Sequence, residues 1–151
     1  MLCSCTHSQK LTRVVADVSE QKMYTYIGNT LVKTYPISTS KYGVGSRSGS
    51  YKTPLGQFDV NGLIGDGMSP HQNFKGRRPV DRPTGIKSRI IVIKDRGGNP
   101  QANTLYRYIY IHGSDSVVGR PTSIGCVHLR PYDMVDLYSS VSYNSRIEFR
   151  Y

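Results

Sequence analysis

The 151-residue chain lacks long apolar runs, internal repeats and low-complexity tracts. No stretch approaches the roughly 18 consecutive apolar residues of a membrane-spanning helix, so the sequence predicts no membrane span. Without a repeat period, solenoid and propeller architectures are excluded. A chain of this length can bury one core but is too short for two comfortable domains. We therefore expect a single domain.

Acidic side chains are scarce. The chain has ten Asp and Glu residues and twenty Lys and Arg residues, so its formal net charge is +10. This balance favours an anionic partner such as nucleic acid, acidic lipid or a carboxylate-rich polymer. Nucleic-acid binding would be better supported by a dense basic run or a known fold signature, whereas only Arg77 and Arg78 are adjacent here. Nucleic acid is therefore a distant alternative, and we expect no nucleic-acid partner.

Cysteines are few, and two of the three, Cys3 and Cys5, lie close together near the start. Their spacing is unfavourable for a disulfide, and Cys-x-Cys-x-His without a second ligand pair is a poor zinc pattern, so no metal site is predicted. The first ten residues also lack the apolar stretch of a complete signal peptide. We therefore expect residues 1–10 to form a flexible tail. The alternative is a truncated lipoprotein start, because residues 2–5 are similar to the end of a lipoprotein signal with Cys5 as the lipidated residue.

The third cysteine carries the most informative pattern. Cys126 lies in Ser123-Ile124-Gly125-Cys126-Val127-His128, nine residues after Ile111-His112-Gly113. A free thiol is only a few per cent ionised at neutral pH, so a cysteine that attacks carbonyls needs a neighbouring imidazole, and His112 is the natural candidate. Gly125 permits a tight turn, and the amides of Gly125 and Cys126 could donate to an oxyanion. From composition alone, a small buried hydrophobe is the more common role of a free cysteine.

A second segment strengthens the catalytic interpretation. Residues 35–40 (Tyr-Pro-Ile-Ser-Thr-Ser) are followed by residues 53–58 (Thr-Pro-Leu-Gly-Gln-Phe). In their order and spacing, these two motifs and the cysteine segment resemble those of the L,D-transpeptidase catalytic domain family, the cysteine enzymes that remodel peptidoglycan. The resemblance covers residues 11–151. It implies a mainly β fold, a mixed β-sandwich or barrel-like architecture with one or two short helices, as one catalytic domain.

The resemblance also implies a two-step acyl transfer without a cofactor. Cys126 would attack the peptide bond between the L-centre of diaminopimelate and a terminal D-alanine, with the amides of Gly125 and Cys126 stabilising the oxyanion. His112 would protonate the leaving D-alanine and later deprotonate the acceptor. In the family a backbone carbonyl orients the imidazole, and the match places it at Gly113. Ser123 would support the site by hydrogen bonding.

Two positions depart from the family pattern. Ile124 stands where relatives often have histidine, which we expect to change the shape of the cleft more than the chemistry. His128 stands where arginine or asparagine is frequent, so carboxylate binding at that point is in doubt. His128 remains open as a pH-dependent donor, as a weaker rival to His112 for the base, or as a packing residue. Arg130 and Tyr110 complete the candidate substrate contacts.

The leading functional hypothesis is an L,D-transpeptidase of the cell envelope that acts on peptidoglycan stem peptides and is open to acylation by carbapenems. An L,D-carboxypeptidase, or a hydrolase that releases wall-linked protein, would share the acyl-enzyme and differ only in the acceptor. A non-catalytic envelope-binding module is a more distant alternative.

Hydrophobic patterning predicts a β-rich chain. Alternating and β-branched stretches indicate strands at residues 11–18, 22–27, 31–35, 88–94, 105–112 and 146–151. The fifth of these would align Tyr106, Tyr108, Tyr110 and His112 on one face. Apolar spacing after Pro131, with acidic residues in the first turn, predicts a helix there.

Three segments are predicted to be irregular. Residues 38–50 are rich in Gly, Ser and basic residues and are expected to form an exposed loop. Residues 61–85 hold several Gly and Pro and are expected to form an elaborated loop, which the family resemblance implies lies beside the substrate cleft. Within it, solvation is favoured over a functional role for His71, Arg77 and Arg78. A turn is predicted at residues 95–103.

Overall fold

The computed structural model describes residues 9–97 and 102–151. These residues form ten strands in one mixed sheet, together with two helices, which confirms the mainly β prediction. The strands are β1 (Arg13–Asp17), β2 (Lys22–Ile27), β3 (Thr30–Pro36), β4 (Gly56–Ile64), β5 (Asn73–Lys75), β6 (Arg78–Val80), β7 (Ile86–Asp95), β8 (Tyr110–Gly113), β9 (Val127–Leu129) and β10 (Arg146–Arg150). The helices are α1 (Thr104–Arg107) and α2 (Pro131–Ser140).

The sheet begins as the predicted antiparallel meander of β1, β2 and β3. The last strand, β10, then inserts between β1 and β4, parallel to β1 and antiparallel to β4. The order continues through β7 to the β5–β6 hairpin, while β8 and β9 branch from β7. Strand β7 therefore connects the meander half of the sheet to the strands that carry the cysteine and histidine segments.

Both faces of β7 are covered, as its continuous apolar sequence predicts. Ile91 and Ile93 face the main core, which also receives Met134 and Leu137 of α2. Ile90 and Val92 face a second, smaller cluster with Phe74 and Tyr110, and Cys126 packs against it. The reactive segment thus lies over this second cluster, on the sheet face opposite the main core.

The strand predicted for residues 105–112 is wrong over its first half. Thr104–Arg107 forms one helical turn, flanked by Asn103 and Tyr108 with positive φ of 49° and 55°. The Asp95 carboxylate accepts hydrogen bonds from the N–H groups of Ala102 and Thr104, at 3.0 and 3.3 Å. These contacts stop the extended chain, so the strand begins only at Tyr110. Consequently Tyr106 and Tyr108 point to solvent, 70% and 66% exposed, and form no row with His112.

The prediction of a loop over residues 61–85 is also corrected. Strand β4 continues to Ile64, and β5 and β6 form a short hairpin whose first strand pairs with the start of β7. Phe74 anchors this hairpin because its side chain is fully buried in the second cluster.

Helix α2 begins at Pro131, as predicted, and Met134 and Leu137 face the core. Neither of the helices in the described part of the chain is long and apolar enough to cross a membrane. The predictions for Cys3 and Cys5, and most of the predicted tail, fall outside the described residues.

Close packing between β7 and β8 requires a glycine. The pairing of the two strands shifts register between Lys87 and Ile90, and Ser88 has a positive φ of 75°. A Cβ atom at Gly113 would lie 2.7 Å from the Lys87 carbonyl oxygen and 2.8 Å from the Ser88 Cβ. Such contacts are too short, so any side chain at Gly113 would push β8 away from β7.

We predict that Gly113→Ala destabilises the fold by about 1–3 kcal/mol, the usual cost of overpacking a close contact. Gly85→Ala is the matched control, because a Cβ at Gly85 would meet nothing within 4 Å. The free energy of unfolding in urea measures both variants. Equal stability of the two variants would contradict the requirement for close approach.

Candidate active site

Two short parallel strands bring the cysteine and histidine segments together. Strand β8 pairs with β9 so that Ile111 lies beside Val127 and His112 beside His128. Cys126 directly precedes β9, level with Tyr110. Because side chains alternate along a strand, the side chains of Cys126 and His128 share a face with those of Tyr110 and His112. The positions of Cys126 and His112 are therefore offset by two residues along adjacent strands, about 7 Å.

The sulfur is held by two backbone contacts. The Tyr110 N–H donates to the Cys126 Sγ at 3.3 Å, and the thiol donates to the Tyr108 carbonyl at 3.4 Å. Cys126 is only partly buried. Burial nevertheless raises the pKa of the Cys126 thiol to about 11, because the surrounding protein disfavours the thiolate. The Tyr110 hydrogen bond and the nearby Arg107 lower that pKa only in part.

His112 is almost fully buried, with 2% of its surface exposed. Its Nδ1 lies 2.7 Å from the carbonyl oxygen of Gly113. A carbonyl can only accept, so Nδ1 carries the proton and Nε2 is left as the basic nitrogen. Burial lowers the pKa of His112 to about 4, partly offset by this hydrogen bond. The imidazole is therefore neutral at physiological pH.

His128 lies directly against His112, with ring centroids 4.4 Å apart. Its Nδ1 is buried and has no hydrogen-bond partner among the described residues. Burial, with a smaller contribution from His112, lowers the pKa of His128 to about 3. His128 is thus a neutral packing neighbour of His112, without the positive charge that an arginine would carry at this position.

Ser123 and Gly125 shape the turn before the cysteine. The buried Ser123 Oγ donates to the Cys126 carbonyl at 2.7 Å and accepts from the Gly125 N–H at 3.2 Å. Gly125 has a φ of +134°, and a Cβ there would lie 2.9 Å from the Ile109 Cδ1. The turn therefore requires glycine, and the Gly125 amide is occupied by Ser123 in this arrangement.

The two sequence segments meet at Thr53. Its hydroxyl donates to the Gly125 carbonyl at 2.9 Å and accepts from the Ser40 N–H at 2.9 Å. Ser38 exchanges two backbone hydrogen bonds with His128, at 3.0 and 2.8 Å. Residues 38–40 are therefore buried rather than part of an exposed loop, which corrects the prediction for the start of residues 38–50. Within that predicted loop, Lys41 and Arg47 do lie at the surface.

Of the remaining candidates, Arg130 and Ile124 line surface cavities, whereas Tyr110 lies beside the cysteine. Arg130 is exposed at the start of α2, where it lines an open cavity of about 500 Å³ with residues 114–118 and 131–133. Ile124 is 61% exposed and lines a small cavity of about 100 Å³ with Tyr106 and Arg107. Tyr110 is buried directly beside the cysteine.

Sequence reasoning missed two contributors to the site. Tyr108 offers its carbonyl to the thiol, and the guanidinium of Arg107 binds the carbonyls of Gly45 and Lys52 at 3.3 and 2.6 Å. Both residues belong to residues 105–112, for which the sequence pattern predicts a continuous strand. The Gly-rich loop and the helical turn that bring them to the cysteine depend on contacts between distant parts of the chain.

Comparison with known proteins adds family and fold. Solved structures of an L,D-transpeptidase from Mycobacterium smegmatis and of L,D-transpeptidase 3 from Mycobacterium tuberculosis match 94% and 93% of this chain. Their sequence identities are 21% and 17%, with TM-scores of 0.60 and 0.62. The second protein is also known with a faropenem-derived adduct, in a structure with 17% identity, 93% coverage of this chain and a TM-score of 0.62.

This chain spans about three fifths of those proteins, 59%, 62% and 61% of their respective chains. A search of curated protein sequences found no match. The sequence profile of the L,D-transpeptidase catalytic domain matches residues 11–148, which includes every candidate site residue described above. The chain belongs to the L,D-transpeptidase catalytic domain family.

Proposed function

We propose that the protein is an L,D-transpeptidase that acts on peptidoglycan stem peptides through a Cys126 acyl-enzyme. The observation that carries the proposal is the shared face of β8 and β9. On that face a partly accessible thiol and an imidazole whose Nδ1 is fixed by the Gly113 carbonyl stand two residues apart along adjacent strands. This arrangement leaves Nε2 free to exchange a proton with the sulfur and with the reacting nitrogen atoms.

In the first step, the thiol proton passes to Nε2 of His112 as Sγ attacks the carbonyl between diaminopimelate and D-alanine. The carbonyl oxygen becomes an oxyanion, which the Cys126 N–H would stabilise as a backbone donor. The Gly125 N–H could also donate to the oxyanion, but only after its hydrogen bond to Ser123 Oγ is broken. Collapse of the intermediate breaks the C–N bond, His112 returns the proton to the leaving amine, and a thioester remains.

In the second step, an amine from a neighbouring stem peptide loses a proton to His112 and attacks the thioester carbon. The sulfur leaves and recovers that proton, so the enzyme is regenerated with a crosslinked product. If water replaces the amine, the same steps give L,D-carboxypeptidase activity or release of a wall-linked protein. Hydrolysis is therefore the second candidate function, since the accessible thiol does not itself exclude water.

A place in the cell envelope follows from this substrate, and the charge of the chain suits it. The net charge of +10 favours an anionic wall polymer. The non-catalytic binding module is less favoured, because such a module has no need of a thiol and an oriented imidazole on one face.

We expect incubation with a carbapenem to give one covalent adduct, visible as a mass increase of the intact protein. The strained lactam carbonyl would accept the sulfur as the peptide carbonyl does, and the faropenem-derived adduct of the Mycobacterium tuberculosis protein supports this chemistry. Cys126→Ala should give no adduct, whereas an unmodified mass of the parent protein in repeated trials would oppose the enzyme.

Defined muropeptides separate the two candidate functions. We expect the parent protein to form dimeric products, identified by mass spectrometry, because transfer is the leading proposal. Shortened monomers alone would identify a hydrolase instead. Product formation by Cys126→Ala at the parent rate would contradict the assigned nucleophile.

The resting site should hold a neutral thiol beside a neutral imidazole. Burial raises the pKa of Cys126 to about 11 and lowers the pKa of His112 to about 4. Between these values neither group is charged, so the thiolate forms only as substrate is attacked.

We predict little thiolate absorbance in the difference ultraviolet spectrum between the parent protein and Cys126→Ala at pH 8.5, where an ordinary cysteine is about half ionised. The signal should grow only as the pH approaches the raised pKa. Strong thiolate absorbance at neutral pH would instead indicate a preformed ion pair with His112.

A further inference from the structure

The β5–β6 hairpin carries an arginine at its tip. Lys75 pairs with Arg78, so Gly76 and Arg77 form a two-residue turn, and Gly76 has a φ of +60°. Glycine at the first turn position suits the tight hairpin turns that match the twist of a sheet. Phe74 is fully buried beneath the hairpin, among Ile90, Val92 and Tyr110. The tip is therefore held over the cluster against which Cys126 packs.

Arg77 contacts the residue beside the nucleophile. Its Nε donates to the Tyr110 hydroxyl at 3.2 Å, and its guanidinium carbon lies 5.8 Å from the centroid of the Tyr110 ring. The backbone N–H of Tyr110 in turn donates to the Cys126 Sγ. One tyrosine thus separates the guanidinium from the sulfur.

The outer nitrogens of Arg77 are available to a ligand. In the described part of the chain, its hydrogen bond to Tyr110 uses Nε alone, and none of the ion pairs includes Arg77. Arg107 on the opposite side differs, because both of its outer nitrogens are bound by Gly45, Ser50 and Lys52. Arg77 is exposed and oriented by its ring contact, which leaves a planar pair of N–H donors suited to a carboxylate.

Two other candidates for binding a substrate carboxylate lie on or just after the cysteine strand. His128, two residues after Cys126, is a neutral ring packed on His112. Arg130 lies another two residues on, in the open cavity at the start of α2. Arg77 differs from both, because it lies at the tip of the hairpin that Phe74 anchors in the second cluster and its outer nitrogens take no part in the Tyr110 hydrogen bond.

We propose that the outer nitrogens of Arg77, oriented by the Tyr110 hydroxyl, form a carboxylate subsite that binds the free carboxylate at the end of the diaminopimelate side chain of the donor stem peptide. The subsite rests on the proposed function. The guanidinium is separated from the sulfur by the length of Tyr110 and by two hydrogen bonds, one at each end of that residue. The terminal D-alanine carboxylate is only one residue from the attacked carbonyl and is too near, whereas the side chain of diaminopimelate extends its carboxylate by several carbon atoms.

Binding to the Cys126→Ala protein tests the subsite without turnover. The probes are a stem tetrapeptide ending in diaminopimelate and D-alanine, the same peptide amidated at the diaminopimelate side-chain carboxylate, and the peptide amidated at its C-terminus. We expect Arg77→Gln to weaken binding of the first and third peptides by about tenfold to a hundredfold, the usual range for a charged hydrogen bond. Binding of the second peptide should change by less than about twofold.

Arg78→Gln is the matched control, because it removes the same charge from the neighbouring exposed position. It should leave the binding of all three peptides nearly unchanged. Arg77→Lys should recover only part of the affinity, since an ammonium group lacks the paired donors. The alkylation rate of Cys126 by neutral iodoacetamide, measured in the cysteine-containing protein, should be the same with Arg77 and with Arg77→Gln if the hairpin remains in place.

Equal losses for all three peptides, or a loss confined to peptides with a free C-terminus, would overturn the subsite. So would undiminished binding in Arg77→Gln. Failure of the proposed function has a different signature: the parent protein would give neither a carbapenem adduct nor muropeptide products, whatever residue stands at position 77.

Discussion

The parallel pairing of β8 with β9 is the constraint on which the site depends. Four residues of β8 and three of β9 suffice, because β7 supports one side and residues 38–40 the other. The register sets His112 beside His128 and leaves the cysteine just outside the strand, where its backbone can turn. A slip by one residue would send the sulfur and the imidazole to opposite faces.

Burial explains the electrostatics of this pair. A carboxylate beside His112 would favour the imidazolium and raise the pKa of the ring. The Gly113 carbonyl fixes the same tautomer with a neutral dipole, so the imidazole stays uncharged in an apolar setting. Desolvation then keeps the thiol protonated as well. In the proposed reaction, charge would therefore develop only with the substrate in place.

Secondary-structure elements that depend on local sequence patterns could be predicted from the sequence alone. The opening meander, the apolar β7 and the helix that starts at Pro131 follow from alternation, β-branched content and first-turn chemistry. The cysteine and Thr-Pro segments were recognisable as sequence motifs. Their contact through the Thr53 hydroxyl was not, because a hydrogen bond across 72 residues leaves no periodic trace. The break before Tyr110 was missed for the same reason, since Asp95 creates it from the preceding strand. The β5–β6 hairpin was hidden by its short strands and its Gly and Pro content.

The insertion of β10 between β1 and β4 has a consequence for how the molecule forms. The first three strands can pair as they leave the ribosome, but they join the rest of the sheet only through residues 146–150. The sheet therefore cannot close until residues 146–150 are in place, and the many contacts between distant residues make folding slow relative to a helical bundle of equal length.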